Sequence, residues 1–369
     1  MMNSKSSRTV VYVLAAIGLL LLPIILQSTG SNSWVRIVDI ALLYVLLALG
    51  LNIVVGYAGL LDLGFVAFFA VGAYLYGLLA SPHLVDTFAW VATNFPNGLH
   101  VNFWVVMVIA AVLAGTTGMI LGAPVLKLRG DYLAIVTLGF GEIVRIFMLN
   151  MDRPINLTNG PKGLSQIDAV SVFGQSMGQR LEISLGGWSY TFQSVTLYYY
   201  LILFFVLMAI VISYRLQDSR IGRAWMAVRE DEIAAKAMGL NTRNLKLAAF
   251  GTSATFGGIS GVLFASFMRG VYPESFVLME SVMIVAMVVL GGLGHIPGVI
   301  LGALVLAGLP ELLRHVATPL TAMTDGRLGP EILRQLLIAL AMIIIMLLRP
   351  KGLWPSPEHG KSLSKGDAA

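Results

Sequence analysis

Cysteine is absent from the 369 residues, and only 12% of them carry charge. The first absence excludes disulfides and thiolate metal sites. The second is about half of the roughly 25% found in soluble domains. Over a chain this long it leaves too little polar surface to face water all round, so part of the exterior is expected to face lipid. What fills the space is apolar: 57% of residues are hydrophobic and the mean hydropathy is +0.84. The length is then best used in membrane spans of about 20 residues each. The 39 glycines suit membrane helices, where small residues let backbones approach closely. In a soluble protein a net charge of +5 would raise nucleic acid as a partner. Here the basic residues cluster between apolar runs, which the positive-inside rule explains without it. A phosphate loop is also missing. The nearest stretch, residues 355–362, has Pro355 in place of the first glycine and no strand before it, so the chain is expected to bind no nucleotide, cofactor or metal of its own.

Ten apolar stretches stand out: 9–27, 34–55, 60–80, 101–125, 132–149, 196–214, 247–268, 276–293, 297–313 and 331–348. The first is too long for the core of a signal peptide and no small-residue cleavage pattern follows it. The expected fold is an all-α polytopic membrane protein of about ten helices (eight to ten). Lys5 and Arg8, then Lys127 and Arg129, then the run Arg215 to Lys246, then Arg349 and Lys351 all fall on one side when both termini are cytoplasmic. Residues 1–354 form one transmembrane domain with a cytoplasmic loop 215–246 and a periplasmic loop 150–195. The tail 355–369 is expected to be disordered. Spans three and nine begin in the glycine-rich turns Gly56-Tyr57-Ala58-Gly59 and Gly291-Gly292-Leu293-Gly294. Either can be a broken or re-entrant segment whose backbone must be buried in protein or line a wet cavity.

Candidate chemistry is sparse. Ser260, in Gly258-Ile259-Ser260-Gly261, and His295, in a His-x-x-Gly-x-x-x-Gly stretch, match patterns of intramembrane serine proteases. Ser260 lies some 20 Å inside its span at about 1.5 Å per residue, too far from His295 for a dyad, so helix packing is the plainer reading. Asp39, Asp62, Glu142, Arg145, Glu280 and Glu311 are ionisable residues in or near spans. At a helix centre each costs about 2.5–3.5 kcal/mol and is expected to face an interior. Glu142 and Arg145, three apart, can pair. An ion-coupled transporter would use Glu142.

The loop 215–246 is the most informative segment. From Gly222 to Met238 its apolar residues follow helical spacing, Glu230, Asp231 and Glu232 form an acidic block, and Gly239 supplies a stop. Such an amphipathic helix pair can lie on anionic lipid or dock in a groove of a cytosolic partner. The acidic block favours the partner.

The stretch Glu232-Ile233-Ala234-Ala235-Lys236-Ala237-Met238-Gly239-Leu240-Asn241 resembles the coupling loop of ABC importer permeases, and more narrowly the branched-chain amino acid permeases of the LivM type. Gly56 to Phe65, Leu128 to Ile143, Thr158 to Leu164, Val289 to Gly294 and Leu348 to Leu353 are similar to further stretches of that family, in order, over roughly residues 34–354. The resemblance implies a permease subunit in the bacterial inner membrane, paired with a homologous LivH-type permease. Two cytosolic ATPase subunits would hydrolyse the ATP, and a periplasmic binding protein would deliver leucine, isoleucine or valine. Related permeases carry urea or short amides, so substrate is the less specific part. On this reading no residue is catalytic. ATPase coupling falls to Gly222, Arg223, Ala227, Arg229, Glu230, Asp231, Glu232, Ala234, Ala235 and Gly239. Helix breaks or the pathway fall to Gly56, Gly59, Gly64, Gly139, Gly141, Glu142, Gly291, Gly292 and Gly294. Asp152, Arg153 and Lys162 are offered to the binding protein.

Overall fold

The computed structural model describes residues 18–27, 32–96, 98–125, 128, 130–172, 175–185 and 188–323, with short pieces between 335 and 354. The start of the first expected span, Lys5, Arg8, Lys127, Arg129, Arg349, Lys351, most of the tenth span and the tail 355–369 lie outside the described residues.

The chain is helical nearly throughout. It runs α1 (Gly18–Gln27), α2 (Asn32–Asn52), a π-helical turn (Ile53–Tyr57), α3 (Val66–Leu79), two short helices α4 (His83–Thr87) and α5 (Ala89–Asn94), α6 (Phe103–Val125) and α7 (Asp131–Asn150). After the loop come α8 (Ser194–Gln217), α9 (Arg220–Glu230), α10 (Glu232–Ala237), α11 (Thr242–Met268), α12 (Leu278–Gly291) and α13 (Ile296–Met323). Five of the described helical segments are long and apolar enough to cross a membrane, and four more are apolar but shorter. The chain is a multi-pass membrane protein. The connection between α7 and α8 adds what the apolar pattern did not reveal, the short strands β1 (Leu164–Ser165), β2 (Ser171–Val172), β3 (Gln175–Ser176), β4 (Leu181–Leu185) and β5 (Trp188–Phe192). Strand β1 pairs antiparallel with β6 (Gly270–Val271) after α11, which ties this loop to the end of the bundle opposite α9 and α10.

Helix α11 is the central post, packed on α6, α3 and α2. Lipid tails are as apolar as leucine, so close backbone approach has to supply the attraction between helices. Small residues provide it here. A Cβ at Gly72 of α3 would stand 2.7 Å from the Cα of Gly258 in α11, and one at Gly258 would stand 2.6 Å from the Cβ of Ala114 in α6.

Within the packed bundle, helices α3 and α12 are too short to cross the roughly 30 Å hydrocarbon core. They have 14 residues each, or about 21 Å. The third span was expected from residue 60, but residues 58–65 are non-helical and the helix starts at Val66. Its entrance is held from outside: Leu63 N donates to Thr137 Oγ1 of α7 (3.0 Å), Gly64 N to Asp62 Oδ1 (2.9 Å) and Val66 N to Ser281 Oγ of α12 (3.3 Å). By the rise of about 1.5 Å per residue, Ser281 lies roughly 15 Å from Gly291, so the starts of α3 and α12 meet near mid-depth. The ninth span is not the broken one. α13 runs unbroken from Ile296, and the second interruption precedes α12, where residues 269–277 fold back through β6 and a 3-10 turn (Pro273–Phe276). Residues 291–294 form a tight turn between α12 and α13. Gly139 and Gly141 also mark no break, since α7 is continuous through both. A Cβ on Gly141 would come within 3.2 Å of Gly64 Cα, whereas one on Gly139 would meet nothing within 4 Å.

Candidate functional site

Helices α9 and α10 form a bracket at one end of the bundle. Ser219 caps α9 by accepting from Gly222 N (3.0 Å), and Asp231 caps α10 by accepting from Ile233 N (2.7 Å) and Ala234 N (3.0 Å). This side-chain capping satisfies helix N–H groups that would otherwise lack partners. Gly239, at φ +83°, closes α10 as its type suggests. The inner face of α9 is Gly222, Trp225 and Val228, all buried. The Trp225 indole donates to the Leu245 carbonyl of α11 (2.7 Å). A Cβ on Gly222 would stand 2.6 Å from the Gln217 carbonyl oxygen, so α9 turns back tightly on α8.

The acidic block does not act as one surface. Asp231 is the cap. Glu232 turns inward to accept from Lys246 Nζ (2.7 Å) and Thr242 Oγ1 (3.2 Å), and also pairs with Lys236 (3.1 Å). The hydrogen bond from Lys246, followed by that from Lys236, holds the Glu232 carboxyl down at about 2 against an ordinary 4.5. Reach accounts for this: α10 folds back on the first turns of α11, so Lys246 meets Glu232 from within the protein. Gly222 and Ala235 are likewise buried, and Arg229 turns inward. Of the coupling candidates, Ala227, Glu230 and Ala234 face outward, as does Arg223, whose Nη1 donates to the Asp218 carbonyl (2.6 Å). Beside them stand two residues that the sequence reading left out of the site, Ile233 at 71% and Met238 at 83% exposure. With Ala234 and Ala237 they make an apolar patch on α10. The cue was present in the sequence, large apolar side chains in an otherwise charged helix pair, but apolar helical spacing alone does not say which face is covered.

The glycine turns meet this bracket. Arg229 Nη1 donates to the Gly56 carbonyl, Gly294 N donates to the buried Asn52 Oδ1 (2.9 Å), and a Cβ on Gly56 would lie 2.7 Å from Gly294 N. Leu353 N and Trp354 N close the same end on the Leu290 and Gly291 carbonyls (2.8 and 3.2 Å).

A family described as "Branched-chain amino acid transport system / permease component" matches residues 33–347. The chain belongs to this permease family. The LivM permease protein of Escherichia coli K12, from a high-affinity branched-chain amino acid transport system, is 39% identical over 371 residues, covering 98% of this chain and 79% of that protein. A probable LivM permease of Methanocaldococcus jannaschii is 27% identical over 85% of this chain and 90% of its own length. The LivH permease of Escherichia coli K12 is 26% identical over 86% of this chain and 93% of its own length. No solved structure matches.

Elsewhere in the permease, the structure does not bring Ser260 and His295 together. The Ser260 hydroxyl is buried and donates to the Phe256 carbonyl of its own helix (2.8 Å), while His295 Nδ1 donates to the Trp354 carbonyl (2.9 Å). Glu142 and Arg145 do pair, with Arg145 Nε 3.0 Å from both carboxylate oxygens. They sit near the middle of α7, which is little buried, whereas the α2 segment is mostly buried. At the opposite end, Arg153 and Lys162 are exposed and Asp152 is half-buried.

Proposed function

We propose that this permease is the transmembrane subunit of an ATP-driven importer of branched-chain amino acids in a bacterial inner membrane. The α9–α10 end faces the cytoplasm, and each of two cytosolic ATPase subunits that hydrolyse the ATP receives one permease's bracket. The observation that carries the reading is the α10 patch, Ile233, Ala234, Ala237 and Met238, exposed on a helix whose other side is anchored to α11 through Ala235 and Glu232. An apolar knob on a rigid bracket fits a groove on a partner. The membrane argument adds the second permease. A charged pair at the centre of a barely buried helix is costly against lipid, so the Glu142–Arg145 side of α7 faces the homologous LivH-type subunit and the pathway between the two. The names of the LivM and LivH relatives support both the substrate and the pairing. Outside, Arg153 and Lys162 meet the periplasmic binding protein, where rim charges govern encounter rate more than affinity.

The test is co-purification from native membranes with Ile233→Ser and Met238→Ser combined. The second permease should stay bound and the ATPases should be lost. ATPases retained at the wild-type level would sink the docking assignment.

A further inference from the structure

We propose that Arg229 is a positioning residue that carries movement of the α9–α10 bracket into the membrane bundle by bonding to the first glycine turn beside the second. This rests on the reading of α9 and α10 as the ATPase-docking element and adds the internal link that such an element requires. Arg229 sits in the last turn of α9 and is half-buried, pointing away from the α10 patch toward the bundle. Its Nη1 donates to the carbonyl of Gly56, inside the π-helical turn that ends α2. Its aliphatic stem covers Gly59, where a Cβ would stand 2.7 Å from Arg229 Cγ. The same Nη1 lies 3.2 Å from where a Cβ on Gly294 would stand. Gly294 is in turn bonded to Asn52 of α2.

One side chain therefore holds the α2–α3 connection by a hydrogen bond and lies beside the α12–α13 turn. These turns lie at the roots of the two interrupted segments, and the segments meet again at mid-depth through Val66 N and Ser281 Oγ. Residues 58–65 run from the Arg229 contact to that meeting point. They pass Thr137 of α7, which accepts from Leu63 N. A shift of α9 has a continuous packed route to α3, α12 and the helix that borders the second permease. Energetic coupling needs such a contiguous path with an element that can take two arrangements, and a π-turn followed by a non-helical stretch is a place where a helix yields. The chemistry suits arginine. A planar fork of five N–H donors can hold a backbone carbonyl while its stem fills the space left by a glycine, which a lysine ammonium does not do in the same geometry.

The experiment uses the whole assembly in proteoliposomes, with radiolabelled leucine uptake and ATP hydrolysis measured on the same preparation. For Arg229→Ala the ATPases should still co-purify, and leucine moved per ATP hydrolysed should fall by about tenfold or more, within the usual range of a coupling between two sites. Arg229→Lys should not restore the ratio. Gly59→Ala, which pushes the Arg229 stem aside without removing its charge and also strains the turn at φ +68°, should lower the ratio in the same way. It also keeps the test open if Arg229→Ala does not fold. A leucine-per-ATP ratio unchanged in the folded Arg229 or Gly59 variant overturns the proposal. ATPases lost from Arg229→Ala would also overturn it, by placing Arg229 on the docking face. If the wild-type assembly holds no ATPase, it is the docking reading itself that fails.

Discussion

Replacing Glu232 with Gln should free α10 from α11 without unfolding the bundle. Glutamine keeps the shape and one acceptor oxygen but removes the charge opposite Lys246, whose side chain is only 7% exposed. Breaking a fully buried pair from one side costs about 3–5 kcal/mol. Glu232 itself is 26% exposed, and solvent screening reduces the figure to about 1.5–3 kcal/mol, the range of one hydrogen bond to a charged group. At about 1.4 kcal/mol per factor of ten, amide exchange in α10 should rise roughly ten- to hundredfold. Exchange read by mass spectrometry on the detergent-solubilised protein measures this helix by helix. The pH dependence gives a second check. The carboxyl is held at about 2, below its ordinary 4.5, so the pair's contribution is fully present above 4.5 and is lost as pH falls from there toward 2. Wild-type protection of α10, corrected for intrinsic exchange, should be level from neutral pH down to about 4.5 and then decline. The Gln variant should show no such decline. Exchange in the variant within twofold of wild type, or a wild-type decline already complete between pH 7 and 5, would refute the reasoning.

Gly72→Ala and Gly139→Ala should move stability in opposite directions. The first drives a Cβ into the α11 backbone at Gly258 and should lower stability by about 1–3 kcal/mol. In the isolated subunit the second adds a methyl in open space within a helix and should raise stability by about 0.5–1 kcal/mol; thermal melts of the isolated subunit in one detergent compare them. Trp225→Phe removes the bond to the Leu245 carbonyl, about 0.5–1.5 kcal/mol for one hydrogen bond to a carbonyl that keeps its helical partner, and limited proteolysis should cut faster within residues 218–241.

The parts of the fold legible in the sequence were those that side-chain polarity controls. The apolar runs, the helix pair within 222–238 with its stop at Gly239 and the Glu142–Arg145 pair follow from local spacing. The glycine turn at 56–59 marks a break in the third span, but not its extent, because residues 60–65 are apolar enough to read as span. Their backbone is held by Thr137, and the helix start that follows by Ser281, residues far along the chain. The inward pairing of Glu232 is hidden for a similar reason. Its neighbours Glu230 and Asp231 suggest a shared surface, but its partner Lys246 becomes visible only when α10 is folded onto α11. The glycines divide in the same way: Gly72 and Gly139 look alike in sequence, and only the opposing backbone tells them apart.

The mid-depth entrance of α3 also bears on how the chain is made. Val66 N waits for a hydroxyl 215 residues further along. At about 5–20 residues per second of synthesis, that partner arrives roughly 10–40 s after Val66 leaves the ribosome. Until then α3 has a polar entrance in a medium that offers no water to satisfy it, and its 14 residues are too few to hold a transmembrane position alone. Hairpins delivered one by one would leave that entrance unmet, so the α3 segment is expected to stay sheltered, at the insertion machinery or against α2, until α12 has been made.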